Sequence, residues 1–147
     1  MSLPSLMAAC AIALLTAAPV LAADCTLSPV AQEGKMVSNQ CKSCHVFEAD
    51  KPSPNTAPNL HDVYGSMAGT RKDFAHYSAA MAAASAKGLI WTDDTLFAYL
   101  ADPKIMLQTV TGDPSLKHGM FFSLRDPDQR KAVIAFLKAI KDKPACN

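Results

Sequence analysis

Apolar residues recur along this chain with a helical period, not with the alternation of a strand. Near the carboxyl end, Val133, Phe136, Leu137 and Ile140 fall at i, i+3, i+4 and i+7 against a face of Lys, Arg and Gln. That is the stripe of an amphipathic helix, and Asp126-Pro127-Asp128 marks its start. Upstream, Thr92-Asp93-Asp94-Thr95 reads as an N-terminal cap before Leu96, Phe97, Tyr99 and Leu100, a helix that stops before Pro103. The alanine-rich run Ser78–Lys87 predicts a short helix ended by Gly88. A first helix is predicted from Ser28, with Pro29 at the first helical position, into the turn at Cys44. Val30, Met36 and Val37 give it a modest apolar stripe, and Gly34 leaves room for a second helix to come close. Residues 48–59 carry three prolines within Pro52–Pro58 and are read as loop. Residues 108–118, around Gly112-Asp113-Pro114, are read as irregular. No strand pattern or internal repeat is visible. The expectation is an all-α domain of four to five short helices joined by much ordered loop.

The amino-terminal stretch belongs to another class. Leu6 to Ala23 carries no charge, and Pro19-Val20-Leu21-Ala22-Ala23 supplies small residues for cleavage. This predicts a secretory signal over residues 1–23 and a single domain over 24–147. The segment preceding it lacks Lys and Arg, and the apolar run is close to the roughly 18 residues that span a bilayer. An uncleaved anchor is therefore the alternative, and no stable membrane insertion is expected once the signal is removed. The formal charge of +1 predicts no nucleic-acid partner. Of the five cysteines, Cys10 leaves with the signal, while Cys25 and Cys146 lie at the two ends of the remaining chain. In an exported protein that pair invites a disulfide; two unrelated thiols are the alternative.

The remaining cysteines carry the chemistry. Cys41-Lys42-Ser43-Cys44-His45 has the spacing of a c-type haem attachment site. Two thiols one helical turn apart can add across two vinyl groups, and the following imidazole can bind iron. A dithiol redox pair or half of a zinc site are the rival readings of a bare Cys-x-x-Cys. Short helices with a proline-rich loop bury little by themselves, so a large flat apolar ligand would supply the missing core. No phosphate-binding glycine loop and no Ser/His/Asp arrangement is found, and no enzymatic activity is expected.

Further signatures follow in order: Ala57-Pro58-Asn59-Leu60-His61, Trp91-Thr92-Asp93-Asp94-Thr95-Leu96-Phe97-Ala98-Tyr99-Leu100-Ala101-Asp102-Pro103-Lys104, and Met120 with Phe122 before the last helix. With the pentapeptide they make the chain resemble the class I cytochromes c, the bacterial periplasmic monohaem type, from about Glu33 to Lys141. The resemblance implies a cytochrome c fold around one haem c bound through Cys41 and Cys44. It implies His45 as proximal iron ligand, oriented by the Pro58 carbonyl, and Met120 as the second ligand. It implies Tyr99 near the methionine sulfur, and Trp91 and Tyr77 as donors to a buried propionate. Phe122 matches the family's aromatic. Two departures stand out. His118, two residues before Met120, could compete for the iron. Ser66 stands where the family commonly has an arginine aimed at a propionate; Arg71 or His76 could take its place. His61 and His76 are expected to be surface or hydrogen-bonding residues, and Met106 apolar packing.

What the resemblance implies for function is a periplasmic one-electron carrier cycling Fe(II)/Fe(III), monomeric. Its redox partners would be a membrane respiratory complex, an oxidase or reductase, or a periplasmic dehydrogenase. Lys42, Lys51, Lys104 and Lys117 would steer it toward acidic patches. The alternative is a haem protein with a labile sixth ligand, acting as a small-ligand sensor or a peroxidase.

Overall fold

The computed structural model describes residues 25–146, so the expected signal and Cys10 lie outside the described residues. Five α-helices follow one another: α1 (Pro29–Val37), α2 (Ala79–Ala86), α3 (Asp93–Ala101), α4 (Pro103–Thr111) and α5 (Pro127–Asp142). Single turns of 3-10 helix extend α1 through Ser38–Cys41 and close the chain at Pro144–Cys146. The only strand-like pairing among the described residues is an isolated antiparallel bridge between Met67 and Ile90. The all-α expectation holds.

Three helices begin with the same device. A short polar side chain caps the first turn and a proline occupies its first position, where a missing N–H costs nothing. Ser28 Oγ accepts from Ala31 N–H, Asp102 from Ile105 N–H, and Asp126 from the N–H groups of Asp128 and Gln129. The second of these corrects the sequence reading. Pro103 does end α3 at Ala101, but it also starts α4, so residues 108–111 are helical, and irregular chain begins only at Gly112. Gly112 closes α4 in the left-handed region (φ +71°), a conformation cheap only for glycine.

α1 packs on α5, the most extensive helix contact in the fold. Its buried face is Leu27, Ala31, Gly34 and Ser38; of the expected stripe only Val37 packs partly against the core, while Val30 and Met36 are 50% and 67% exposed. The reason is steric: small side chains let the two backbones approach, and the bulk comes from Val133, Phe136, Leu137 and Ile140 of α5. Phe47, from the segment after α1, meets Phe136 at 5.7 Å between ring centroids. α1 is also shorter than expected, because Ser38 turns its hydroxyl back onto the Lys35 carbonyl (2.8 Å) and the chain tightens. Leu96 and Leu100 of α3, with buried Met106 and Leu107 of α4, complete the core.

Cys25 and Cys146 form a disulfide with Cα atoms 5.0 Å apart. Lys35 Nζ on the Cys146 carbonyl (2.8 Å) and Lys143 Nζ on the Thr26 carbonyl (3.3 Å) tie the same two ends. Because those bonds survive its loss, replacing both cysteines by serine should cost about 2 kcal/mol, the low end for a long loop. Denaturant unfolding of the oxidised and double-serine proteins measures it.

Candidate functional site

The 3-10 turn after α1 sets the geometry of the Cys-x-x-Cys-His stretch. Both Cys44 N–H (3.1 Å) and His45 N–H (2.9 Å) donate to the Cys41 carbonyl, so the two thiols and the imidazole are fixed within one turn. The proline-rich loop then folds over the histidine. His45 Nδ1 lies 2.7 Å from the Pro58 carbonyl oxygen. A carbonyl can only accept, so Nδ1 carries the proton and Nε2 presents its lone pair. Burial pushes the His45 pKa below its ordinary value, opposed by the bond to Pro58; the ring is neutral at physiological pH and fit to bind a metal. Burial raises the Cys41 thiol pKa, with the Cys44 charge adding to it.

Asn59 is what holds this loop in shape. It is 2% exposed. Its amide donates to the Glu48 and Lys51 carbonyls (2.8 Å each), its carbonyl accepts from His61 N–H (2.8 Å), and its own N–H donates to Ser53 Oγ (2.9 Å). Thr56 Oγ1 closes the loop on the Cys44 carbonyl (2.9 Å). Sequence reasoning gave Asn59 and Ser53 no task; the signal was a polar side chain beside Pro58 in a loop with no ladder to satisfy its backbone groups.

All of this walls a cavity of about 810 Å³, toward the large end of ligand pockets. Cys41, Cys44, His45, Pro58, Tyr77, Trp91, Tyr99, Met120 and Phe122 all line it, so every predicted site residue comes to one place. Its floor is apolar, from Leu60, Val63, Leu96, Leu100, Val133 and Leu137. Trp91 and Tyr99 meet at 4.8 Å between centroids. Burial drives the Tyr99 hydroxyl pKa well above its ordinary value. Tyr77 Oη accepts the Arg71 N–H (3.1 Å), which leaves its own proton to donate.

Met120 hangs between two anchors. Ahead of it, the Lys117 carbonyl accepts from Ala80 N–H (3.1 Å); behind it, Leu124 N–H donates to the Leu100 carbonyl (2.7 Å). Buried Arg130, its guanidinium 4.2 Å from the Phe97 ring centroid, donates through Nη1 to the carbonyls of Leu124 (2.7 Å) and Arg125 (2.8 Å). His118 is not part of the lining and meets Phe121 at a tilt, 4.8 Å between ring centroids.

The other expectations divide. His76 is exposed, and Met106 is buried in α4. His61 is 5% exposed, not a surface residue: it sits under the loop with Nδ1 2.8 Å from Asp62 Oδ1, outside the cavity lining. Lys42, Lys51, Lys104 and Lys117 are all exposed, but the one lysine on the cavity is Lys72.

Two thiols, a neutral imidazole of fixed tautomer and a thioether around one apolar cavity fit a covalently held porphyrin. They do not fit zinc: among the described residues, no three His, Cys, Asp or Glu side chains group as a metal site.

No protein-family model matches the chain. Among known proteins, the chain is 39% identical over 111 residues to cytochrome c2 of Rhodospirillum rubrum, covering 76% of this chain and 81% of that protein. It is 35% identical over 135 residues to cytochrome c2 of Cereibacter sphaeroides, covering 84% and 93%. Among solved structures, cytochrome c2 from Rhodobacter sphaeroides superposes with a TM-score of 0.68 at 36% identity, over 73% of this chain and 92% of that one.

Proposed function

Since the chain belongs to the class I cytochromes c and is a haem electron-transfer protein, we propose that Cys41 and Cys44 hold its haem c and that His45 and Met120 are the iron ligands. The bound haem supplies an iron that takes up and gives back one electron. The chain's residues do the rest. The Pro58 carbonyl fixes the His45 ring, and the two anchors either side of Met120 keep its thioether on the cavity. Tyr77 and Trp91 offer donors to the porphyrin's carboxylates, and Leu60, Val63, Leu96 and Leu100 exclude water from its body. The observation that carries this reading is the 2.7 Å contact from His45 Nδ1 to the Pro58 carbonyl, in a cavity reached by both thiols and Met120.

Residues 1–23 act as an export signal, and residues 24–147 work in the periplasm as a monomer. One observation supports the compartment: the Cys25–Cys146 disulfide suits an oxidising environment. Partners are redox proteins: a membrane respiratory complex, an oxidase or reductase, or a periplasmic dehydrogenase. Exposed Lys42, Lys51, Lys104 and Lys117 steer the encounter, and Phe121, 81% exposed at the cavity, supplies apolar contact.

Three measurements on the exported protein test this. A haem mass is expected on the peptide containing Cys41 and Cys44, with a reversible one-electron titration. The reduced spectrum should be unchanged under carbon monoxide. Carbon monoxide binding by the reduced protein would overturn Met120 as a firmly held sixth ligand.

A further inference from the structure

Resting on the haem reading above, we propose that Arg71 is the cation that clamps a haem propionate in this protein, and that Asp73 is the carboxylate that aims it. A haem brings two carboxylates into a mostly apolar cavity, and a carboxylate removed from water needs a cation or several donors. Only two lining side chains carry a fixed positive charge, Arg71 and Lys72. Lys72 is exposed, whereas the Arg71 side chain is 24% exposed and locked in place.

The lock runs in sequence. Ser53 N–H and Oγ both donate to the Asp73 carboxylate (2.9 Å each), and Asp73 Oδ1 accepts from Arg71 Nε (2.9 Å). Arg71 Nη1 lies 3.7 Å from Asp62 Oδ2, too far for a hydrogen bond, so the outer edge of the guanidinium keeps donors to spend. Beside it, Tyr77 has its hydroxyl proton free to donate, because Oη accepts the Arg71 backbone N–H. Ser66 lines the same cavity but adds no charge, and its hydroxyl is already committed to the Val63 carbonyl (2.7 Å). His76 also lines it, exposed and edge-on to Phe74 (5.8 Å). Asp62 and Asp73 face the same region and repel a second carboxylate, so the propionate's ionisation rests on the Arg71 charge.

Reduction potentials of the haem-loaded variants at pH 7 decide it. Arg71→Gln removes a positive charge next to a group that gains an electron, so the equilibrium should move about tenfold toward ferric, which is about 59 mV for one electron. Asp73→Asn breaks the same ion pair but removes a negative charge, so its potential should rise. A merely structural Arg71 would move both variants the same way. Arg71→Lys keeps the charge and should stay within about threefold of the parent. In Arg71→Gln the propionate's pKa should also rise, giving a fall in potential on passing upward through neutral pH that the parent lacks. Lys72, His61 and His76 are common to both proteins; Asp62, Asp73 and Tyr77 lose the neighbouring Arg71 charge, but aspartyl carboxyls ionise below neutral pH and tyrosyl hydroxyls above it, so a step near neutrality belongs to the propionate. Should Arg71→Gln lose its haem, the other two variants decide: an unchanged potential in Arg71→Lys with a rise in Asp73→Asn supports the clamp, and a fall in both overturns it. An unchanged potential and pH profile in Arg71→Gln overturns it while leaving the haem reading intact. Absence of covalent haem in the parent protein would overturn both.

Discussion

Met120→Ala is expected to lower the reduction potential by a few tenths of a volt, a large share of the roughly 0.8 V that axial ligands command. The ferric protein should become high-spin or misligated at the same time. A soft thioether favours the ferrous state, and alanine leaves that position to water or to a harder donor. Three methionines line the cavity, so the prediction must single one out. Met67 is 43% exposed beside the bridge to Ile90, and Met81 is buried within α2 against Gly69. Met120 is half-buried on the loop before α5, held on either side by Lys117–Ala80 and Leu124–Leu100. Met67→Leu and Met81→Leu should therefore keep the parent's low-spin spectrum, and so should His118→Ala, since His118 faces Phe121 outside the lining. Visible absorption and redox titration of the four variants read this out. A parent-like potential in Met120→Ala, or a lost low-spin signal in His118→Ala, would transfer the ligand role.

Most of the fold was legible because each helix announces its own start. Ser28-Pro29, Thr92 and Asp126-Pro127 are local signals whose meaning needs no tertiary context, and all three helices begin where those residues stand. Asp102-Pro103 is the same signal. A proline after a helical run reads first as a terminator, yet this one both ends α3 and starts α4. The buried face of α1 was illegible for a different reason: hydrophobic patterning ranks Val30 and Met36 above Ala31 and Gly34, whereas helix approach selects the small side chains. In the site, Cys41, Cys44 and His45 fall within one short stretch and are read from their spacing. His45 and Pro58 meet across the loop, and the Ser53–Asp73–Arg71 chain joins residues up to 20 apart. The first meeting is the one the family resemblance implies; the second could not be placed without the path of the backbone.

Gly34→Ala sets two effects against each other and should show which wins. In an exposed helix the change would stabilise by about 1 kcal/mol, since glycine is the poorer helix former. Gly34 is already helical within α1, so no left-handed conformation favours the glycine. Here, however, a Cβ would overlap the Ala132 carbonyl group of α5 and lie 2.9 Å from Phe136 Cβ. The Ala132 atoms are backbone, so no side chain can swing aside; α1 and α5 must move apart. That opens the packing of Ala31, Val133 and Phe136, and overpacking of this kind costs about 3 kcal/mol or more, outweighing the helical gain. The midpoint of denaturant unfolding should fall accordingly, with little change in the slope. The damage should also reach the site, because α1 leads directly into Cys41–His45 while α5 supplies Val133 and Leu137 to the cavity. Less covalently loaded protein should therefore accumulate. A neutral or stabilising result would mean that α1 and α5 are not in backbone contact at Gly34.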